Sequence, residues 1–503
     1  MKSTSKFSES NEFSLIAFCI IIITLTFLPF ELFSQPGTWM VVYGGTGYDR
    51  GTGIAQTFDK GYIVCATTSS YGMGNSDIYL LKIDSAGKFQ WQNTFGGTGI
   101  DNCYSVIQTN DSGFIICGFT NSYGPGGYDG YLVKADSIGN LQWQKTFGGS
   151  SWDFAYWVEE TNDGGFILAG ETFSYGNNNR SYLVKTDKNG DTLWAKTYGG
   201  TQSNLAKEVH QTPDNGYIFA GTIVTNKGDK DFYLVKTNSS GDTLWTKSYG
   251  GTDNDSCNTI AVCKNKELLL GGCTDIGGIH KDLFIRTDSL GGFLYSVVDT
   301  PSGNTNITIS RIIETSGGQL VMLVNADPGS FGKKDINLYE WDSGSWPWGF
   351  SFGGPEDDEG YDLLQTADSG FVLVGYTHSF GIGPDNIFIA KTNSTGHYDN
   401  TVNSYVAVNE ISEESERSLI YPNPFSENLF LKTDPHFFLI EKKYLFEISD
   451  LCGREIMSEE GDAPFSSEPM SIKIPREKFS PGFYLASLQS GNKKIYRKLL
   501  FIQ

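Results

Sequence analysis

The chain has 503 residues, a formal net charge of −21, 60 glycines and 14 % aromatic residues. That length exceeds what one ordinary core covers, so several domains or a repeat array are expected. So much negative charge excludes a surface built to neutralise phosphates, and with it nucleic-acid binding.

The N-terminus carries Lys2 and Lys6, then the apolar run SLIAFCIIIITLTFLPF from Ser14 to Phe30, then the polar exit ELFSQPGTW. This is the layout of a secretory signal, with cleavage placed after Ser34. The run is short for a permanent span, so no transmembrane helix is expected in the mature chain. Cys19 lies within the run and leaves with it. Cys65, Cys103, Cys117, Cys257, Cys263, Cys273 and Cys452 remain, an odd set in which at least one thiol has no intramolecular partner. Their spacing matches no zinc motif. Cys65 and Cys117 stand where later repeats have Ala169 and Ala220 and read as small packing residues. Cys257 and Cys273 flank one predicted hairpin and form a disulfide if its register allows.

Internal repetition dominates the chain from about residue 37. Aligned on the aromatic before a glycine pair, Trp39, Trp91, Trp143, Trp194, Trp245, Tyr295 and Trp348 recur at steps of 50 to 53 residues, giving seven copies that end near residue 397. In the second copy CYSVIQT, GFIICGFT, DGYLVKAD and LQWQKTF read as four short strands rich in Val, Ile, Tyr and Phe, separated by Gly, Asp, Asn and Ser. Four antiparallel strands per copy make a propeller blade. The turns TNDSGF, between first and second strands, and Asp-x-x-Gly, between third and fourth, combine an Asp that bonds its own backbone with a Gly that accepts positive φ. Their aspartates and glycines are therefore read as structural. The mature chain opens with GTWMVVYGG, a fourth-strand sequence, whereas the seventh copy has Asn400 where its own tryptophan should stand. The N-terminal strand is thus expected to complete the last blade and close the ring without an exposed edge.

On the face where fourth-to-first and second-to-third connections emerge, two sets of residues stand out. Ten residues after the repeat aromatics come Asp49, Asp101, Asp153, Asp255 and Asp358. They either ring the channel mouth and hold calcium or a cationic group, or accept backbone hydrogen bonds in their own turns. Tyr71, Tyr123 and Tyr175, in repeated SYG loops, either stack on a sugar or protein ligand or tuck between blades. The five histidines are scattered, and no nucleophile elbow, His-Glu-x-x-His or phosphate loop occurs. No catalytic residue is assigned.

After residue 400 the repeat stops. VNEISEESERS reads as an acidic linker, and a segment of alternating apolar residues broken by Gly and Pro comes next, expected to form a small Ig-like β-sandwich. The expected fold is all-β: a seven-bladed β-propeller followed by that sandwich.

Two resemblances accompany these readings. TDKNGDTLWAKTYGG with TNDGGFILAG resembles the tryptophan-containing repeats of secreted bacterial propellers, and also the docking repeats of quinoprotein dehydrogenases. Those enzymes have eight blades and a vicinal cysteine pair; seven copies and no Cys-Cys stand here, so their activity is not carried over. TNDGGF is similar to sialidase Asp-box turns, whose role is structural. The C-terminal segment resembles the type A sorting domain of the type IX secretion system of Bacteroidetes, through Tyr421-Pro422-Asn423-Pro424-Phe425, DLCGREI, and GFYL followed by Lys493, Lys494, Arg497 and Lys498. The resemblance implies recognition by the outer-membrane translocon and removal by its C-terminal signal peptidase, with release or attachment to the cell surface. The expected organisation is a signal peptide over 1–34, a propeller over 35–400, a linker over 401–418 and a sorting domain over 419–503. The expected function is an exported binding or scaffold module for glycan or protein, with a propeller hydrolase or lyase acting on polysaccharide as the alternative.

Overall fold

The computed structural model describes residues 37–298, 305–342, 344–398 and 402–404, and in the C-terminal region 419–421, 428–432, 443–449, 455–462, 470–473, 475–479, 482–490 and 493–501. The expected signal peptide, the acidic linker from 405, residues 422–425 of the sorting motif and Cys452 lie outside them.

Six four-stranded antiparallel sheets and a seventh of five strands form the blades. In blade 2 the strands are Asp101–Gln108, Phe114–Thr120, Asp129–Ala135 and Leu141–Phe147, paired in that order. Blades 1, 3, 4, 5, 6 and 7 begin at Asp49, Asp153, Asn204, Asn254, Asn306 and Asp358. Second and third strands are buried at every position in blade 2, because each sheet is covered on both faces by its neighbours. That is why they read as unbroken apolar runs instead of alternating ones.

The repeat tryptophan is an inter-blade residue. Trp91 lies 5.7 Å from Phe114, the first residue of the next blade's second strand, and Trp143 lies 6.1 Å from Phe166 in the same relation. The glycine of the next blade's Asp-x-x-Gly turn lies against the same indole: a Cβ at Gly87 would come within 2.9 Å of Trp39. Gly87 also has φ of 75°, so both the ring beneath it and its own backbone require glycine. The other turn differs from the expectation. In TNDSGF the left-handed residue is Ser112, with φ of 68°, and Gly113 is needed for room, since a Cβ there would overlap the Lys134 ammonium. Lys134, nearly buried, donates to Asp111 at 3.0 Å and to the Ala135 carbonyl at 3.2 Å. Lys82, Lys185, Lys236 and Lys391 repeat the arrangement.

The ring closes as the repeat phase implies. Trp39–Tyr43 pairs antiparallel with Asn386–Thr392 and becomes the fourth strand of blade 7. Trp39, Val41 and Tyr43 face the core shared with blade 1, while Met40 and Val42 face the core shared with blade 6. One strand is additional to the expected four: Val402–Ser404 pairs parallel to Met40–Val42 as a fifth. Three residues without alternation give no sequence signal for it.

Cys65, Cys103, Cys117, Cys257, Cys263 and Cys273 are free and buried. The disulfide between Cys257 and Cys273 is not formed, because the register sets Cys257 opposite Gly272 and Cys273 opposite Ser256. The C-terminal region forms two antiparallel sheets, one of Leu419–Tyr421, Asn428–Lys432 and Met470–Lys473, the other of Glu455–Asp462, Lys443–Ser449, Gly482–Ser490 and Lys493–Phe501. No helix among the described residues is long and apolar enough to cross a membrane.

Candidate functional site

Every innermost strand carries a β-bulge at the same place. Pairing with the second strand slips between Gly51 and Gly53, Cys103 and Ser105, Ala155 and Trp157, Ala206 and Glu208, Cys257 and Thr259, Ile309 and Arg311, and Gly360 and Asp362. The extra residues are Thr52, Tyr104, Tyr156, Lys207, Asn258, Ser310 and Tyr361. A bulge re-aims its residue away from the regular pleat, and here all seven line one central cavity of about 620 Å³. Seven blades of one design thus offer a varied set of side chains.

The residues after the bulge build a charged floor. Glu208, 1 % exposed, pairs with the Arg311 guanidinium and with His210 Nε2 at 2.9 Å, and its other oxygen accepts from Thr259 Oγ1 and the Ile260 N–H, both at 2.9 Å. Arg311 Nε lies 3.3 Å from Asp362 Oδ1, and Asp362 Oδ2 accepts from the Ile54 N–H at 3.1 Å. His210 Nδ1 meets Glu159 at 2.8 Å, and the Arg311 guanidinium lies over the Trp157 ring at 4.4 Å. Six of the seven blades therefore contribute to one network. Burial alone would raise the Glu208 carboxyl, but Arg311 and His210 outweigh it and hold it at about 2. Burial likewise opposes charge on His210, yet its bonds to Glu159 and Glu208 raise it to about 10. Asp362 goes the other way: burial pushes its carboxyl up against the pull of Arg311.

One side of the cavity is aromatic. Tyr104 and Tyr156 meet edge to face at 5.0 Å, Tyr104 lies 5.9 Å from Phe119, and Phe119 touches Phe154 and Tyr128 at 5.1 and 5.2 Å. The run continues through Tyr128 to Trp152 at 5.6 Å and on to Phe173 at 6.4 Å. Trp152 and Phe173 are 52 % and 38 % exposed. A ridge over blades 2 and 3 thus joins the cavity to the loop face. On blades 1, 6 and 7, Arg50 pairs with Asp385 and lies over Tyr376 at 4.5 Å, and Lys334 meets Glu359 at 3.2 Å.

The aspartates and tyrosines singled out in the sequence do not line this cavity. Asp49 accepts from the Gly45 N–H at 2.7 Å and from Ser70 Oγ at 2.6 Å, and also from Thr68 Oγ1; Asp101 and Asp153 repeat all three contacts. Asp358 accepts from the Gly354 N–H and Ser379 Oγ, and Asp255 from the Gly251 N–H at 3.3 Å. All five are buried. No group of three or more His, Cys, Asp and Glu residues among the described ones is placed to hold a metal ion. Tyr71 is buried against Tyr79 at 5.2 Å. Tyr123 and Tyr175 are partly exposed, and their hydroxyls donate to the Gly96 and Gly148 carbonyls at 2.7 and 3.0 Å.

Residues 419–503 match the family model of the secretion system C-terminal sorting domain. The chain ends in a type IX sorting tail. It marks the propeller for export through type IX secretion to the cell surface or extracellular space. No curated protein matches the chain. Similar solved structures include the β-propeller domain of the Trilobed protease from Pyrococcus furiosus, at 8 % identity over 73 % of this chain and 98 % of that one with a TM-score of 0.39. Polysaccharide lyase Uly1 is 10 % identical over 72 % of this chain and 98 % of that one, with a TM-score of 0.44. The Penicillium chrysogenum alpha-L-arabinanase complexed with arabinobiose is 10 % identical over 72 % and 99 %, with a TM-score of 0.40. At such identities no activity passes from them to this chain.

Proposed function

We propose that the exported propeller is a binding module, displayed at the cell surface or released, that takes an extracellular glycan on its loop face and into the central cavity. The aromatic ridge from Trp152 to Tyr104 carries this reading. Flat rings with polar tips suit the apolar faces and hydroxyls of sugars, and a concave site with a few convergent polar groups is the usual form of a ligand pocket. Tyr123 and Tyr175 extend the rim, while the five aspartates hold the loops in shape. Titration calorimetry of the mature protein against a panel of oligosaccharides tests the reading. Trp152→Ala and Phe173→Ala are each expected to weaken binding roughly threefold to tenfold; unchanged affinity in both variants overturns the ridge as the binding surface.

One observation favours a hydrolase. Glu208 and Asp362 share the Arg311 guanidinium, and their carboxyls are shifted in opposite directions, as acid and base pairs are. Against this, Glu208 is enclosed and both its oxygens are engaged. Binding is therefore the better reading. Turnover of polysaccharide that Asp362→Asn abolishes, with glycan binding retained, would establish the enzyme instead.

The export route has its own test. Removal of residues 419–503 is expected to leave the propeller in the periplasm, measured by fractionation and by protease accessibility of intact cells. Surface or medium protein at the full-length level would show that the tail does not direct export.

A further inference from the structure

Four lysines and arginines line the cavity: Arg50, Lys207, Arg311 and Lys334. Arg50 pairs with Asp385, Arg311 with Glu208 and Asp362, and Lys334 with Glu359. Lys207 differs. Among the described residues it makes no ion pair and donates no hydrogen bond, and its ammonium lies over the Tyr156 ring at 4.1 Å. The nearest carboxylate influence is Glu171, and both of its oxygens are engaged, one by the Tyr156 hydroxyl and the other by Asn179 Nδ2 at 2.7 Å. The proton of the Tyr156 hydroxyl is committed to that bond. The bulge in blade 4 holds Lys207 at the level of the ring of cavity-lining residues, between Tyr156 on blade 3 and Asn258 on blade 5.

An ammonium has three donors and no acceptor. Set among aromatic rings below the cavity mouth, it lacks the acceptors that the other cations of the cavity all have, and leaving such donors without partners is costly. Burial accordingly pushes the Lys207 ammonium down from its ordinary range, with Glu171 opposing. Among the described residues, the one carboxylate lining the cavity without an ion partner is Asp327, which ends the second strand of blade 6 opposite Asn306, at the mouth. It stands on another blade, where solvent reaches it.

We infer that the glycan taken by this cavity carries carboxylates, as a uronic-acid polymer does, and that Lys207 receives one of them beside the Tyr104 and Tyr156 rings. The inference rests on the glycan reading and narrows it to a ligand class. The head of Lys207 is already seated on Tyr156, so the cation is oriented before a ligand arrives, and the tyrosine pair offers the pyranose ring a wall next to the charge. An acidic peptide shares the carboxylate. The ridge of rings leading to the site favours a sugar, because successive pyranose faces can lie along it.

The test uses the mature full-length protein with three probes in titration calorimetry: tetragalacturonate, a neutral tetrasaccharide of matched length, and tetraglutamate. Wild type is expected to bind tetragalacturonate at least tenfold more tightly than the neutral sugar. Lys207→Met is expected to bind tetragalacturonate roughly ten- to a hundredfold more weakly while its affinity for the neutral sugar moves less than threefold; Asp327→Asn should bind tetragalacturonate as well as wild type or better. A Lys207→Met variant that melts like wild type and binds tetragalacturonate equally well overturns the assignment. Equal binding of the two sugars by wild type also overturns it, but leaves the glycan reading standing. Tighter binding of tetraglutamate than of either sugar overturns the ligand class, and failure of every probe removes the glycan reading as well.

Discussion

Arg311→Met is expected to destabilise the propeller by about 3–5 kcal/mol, the cost of leaving buried carboxylates without their cation. For a ring of this size that corresponds to a melting temperature lower by about 4–7 °C. Glu208 is fully enclosed, and Arg311 is what allows it to remain charged there. Asp362 loses the same partner. Removing both charges together in Glu208→Leu/Arg311→Leu should recover part of the loss, since the desolvation cost leaves with the pair. Melting of the single variant within about 1 °C of wild type would show that the network contributes nothing.

The same network sets a pH window. Glu208 is held at about 2 against an ordinary 4.5, so its contribution is present above pH 4.5 and is lost as pH falls through about 2. His210 is raised to about 10 from an ordinary 6.5, so its contribution is complete below pH 6.5 and is lost as pH rises through about 10. The two limbs are coupled through the contact between Glu208 and His210. His210→Phe should remove the alkaline limb of a melting-temperature profile and move the acid limb to higher pH, because Glu208 loses one of the groups that hold it down, which a profile measured from about pH 2 to about pH 11 will show.

Loss of the closing strand should have a larger effect still. Trp39, Met40, Val41, Val42 and Tyr43 are all buried, and each apolar side chain of this size stabilises by roughly 1.5–3 kcal/mol. The sum is comparable to the whole stability of a domain. The Trp39 indole N–H donates to the Ser85 carbonyl at 3.1 Å and the Tyr43 hydroxyl to the Gly87 carbonyl at 2.5 Å, so the strand is fastened to blade 1 as well as to blade 7. Deleting residues 37–44 is expected to give an expanded, protease-sensitive chain by size-exclusion chromatography and limited trypsinolysis. A deletion variant that elutes and resists cleavage like wild type would mean that the ring holds without its clasp. Val41→Asp should reproduce the effect with one residue, by placing a charge in a core that offers it no partner.

The blades were legible in the sequence because each constraint is written again in most of the seven copies. Trp91 and Gly139, or Trp143 and Gly190, are one contact repeated, and repetition separates a requirement from an accident. The closure was legible for a related reason: GTWMVVYGG is a fourth strand with no first strand before it. The site was not legible, and the cause is physical. A bulge adds one residue with no composition of its own, so nothing local marks Lys207 or Tyr361 as facing the axis. Glu208, Arg311 and Asp362 are ordinary charged residues far apart in the chain, and only the ring brings them together. A signal was nonetheless present: thirteen residues after Trp39, Trp91, Trp143, Trp194, Trp245 and Trp348 stand Thr52, Tyr104, Tyr156, Lys207, Asn258 and Tyr361. In a repeat protein, the column where the copies stop agreeing is where packing no longer dictates the residue. The recurring aspartates are the more conspicuous column, and they serve the loops.

The fifth strand of blade 7 bears on the order in which the ring is assembled. Trp39–Tyr43 has Asn386–Thr392 on one side and Val402–Ser404 on the other, so an early stretch of the polypeptide is lodged between two of the latest stretches of the propeller. Its seat does not exist until nearly the whole ring has been delivered. Until those late stretches are present, the five apolar side chains of Trp39–Tyr43 have no core to enter.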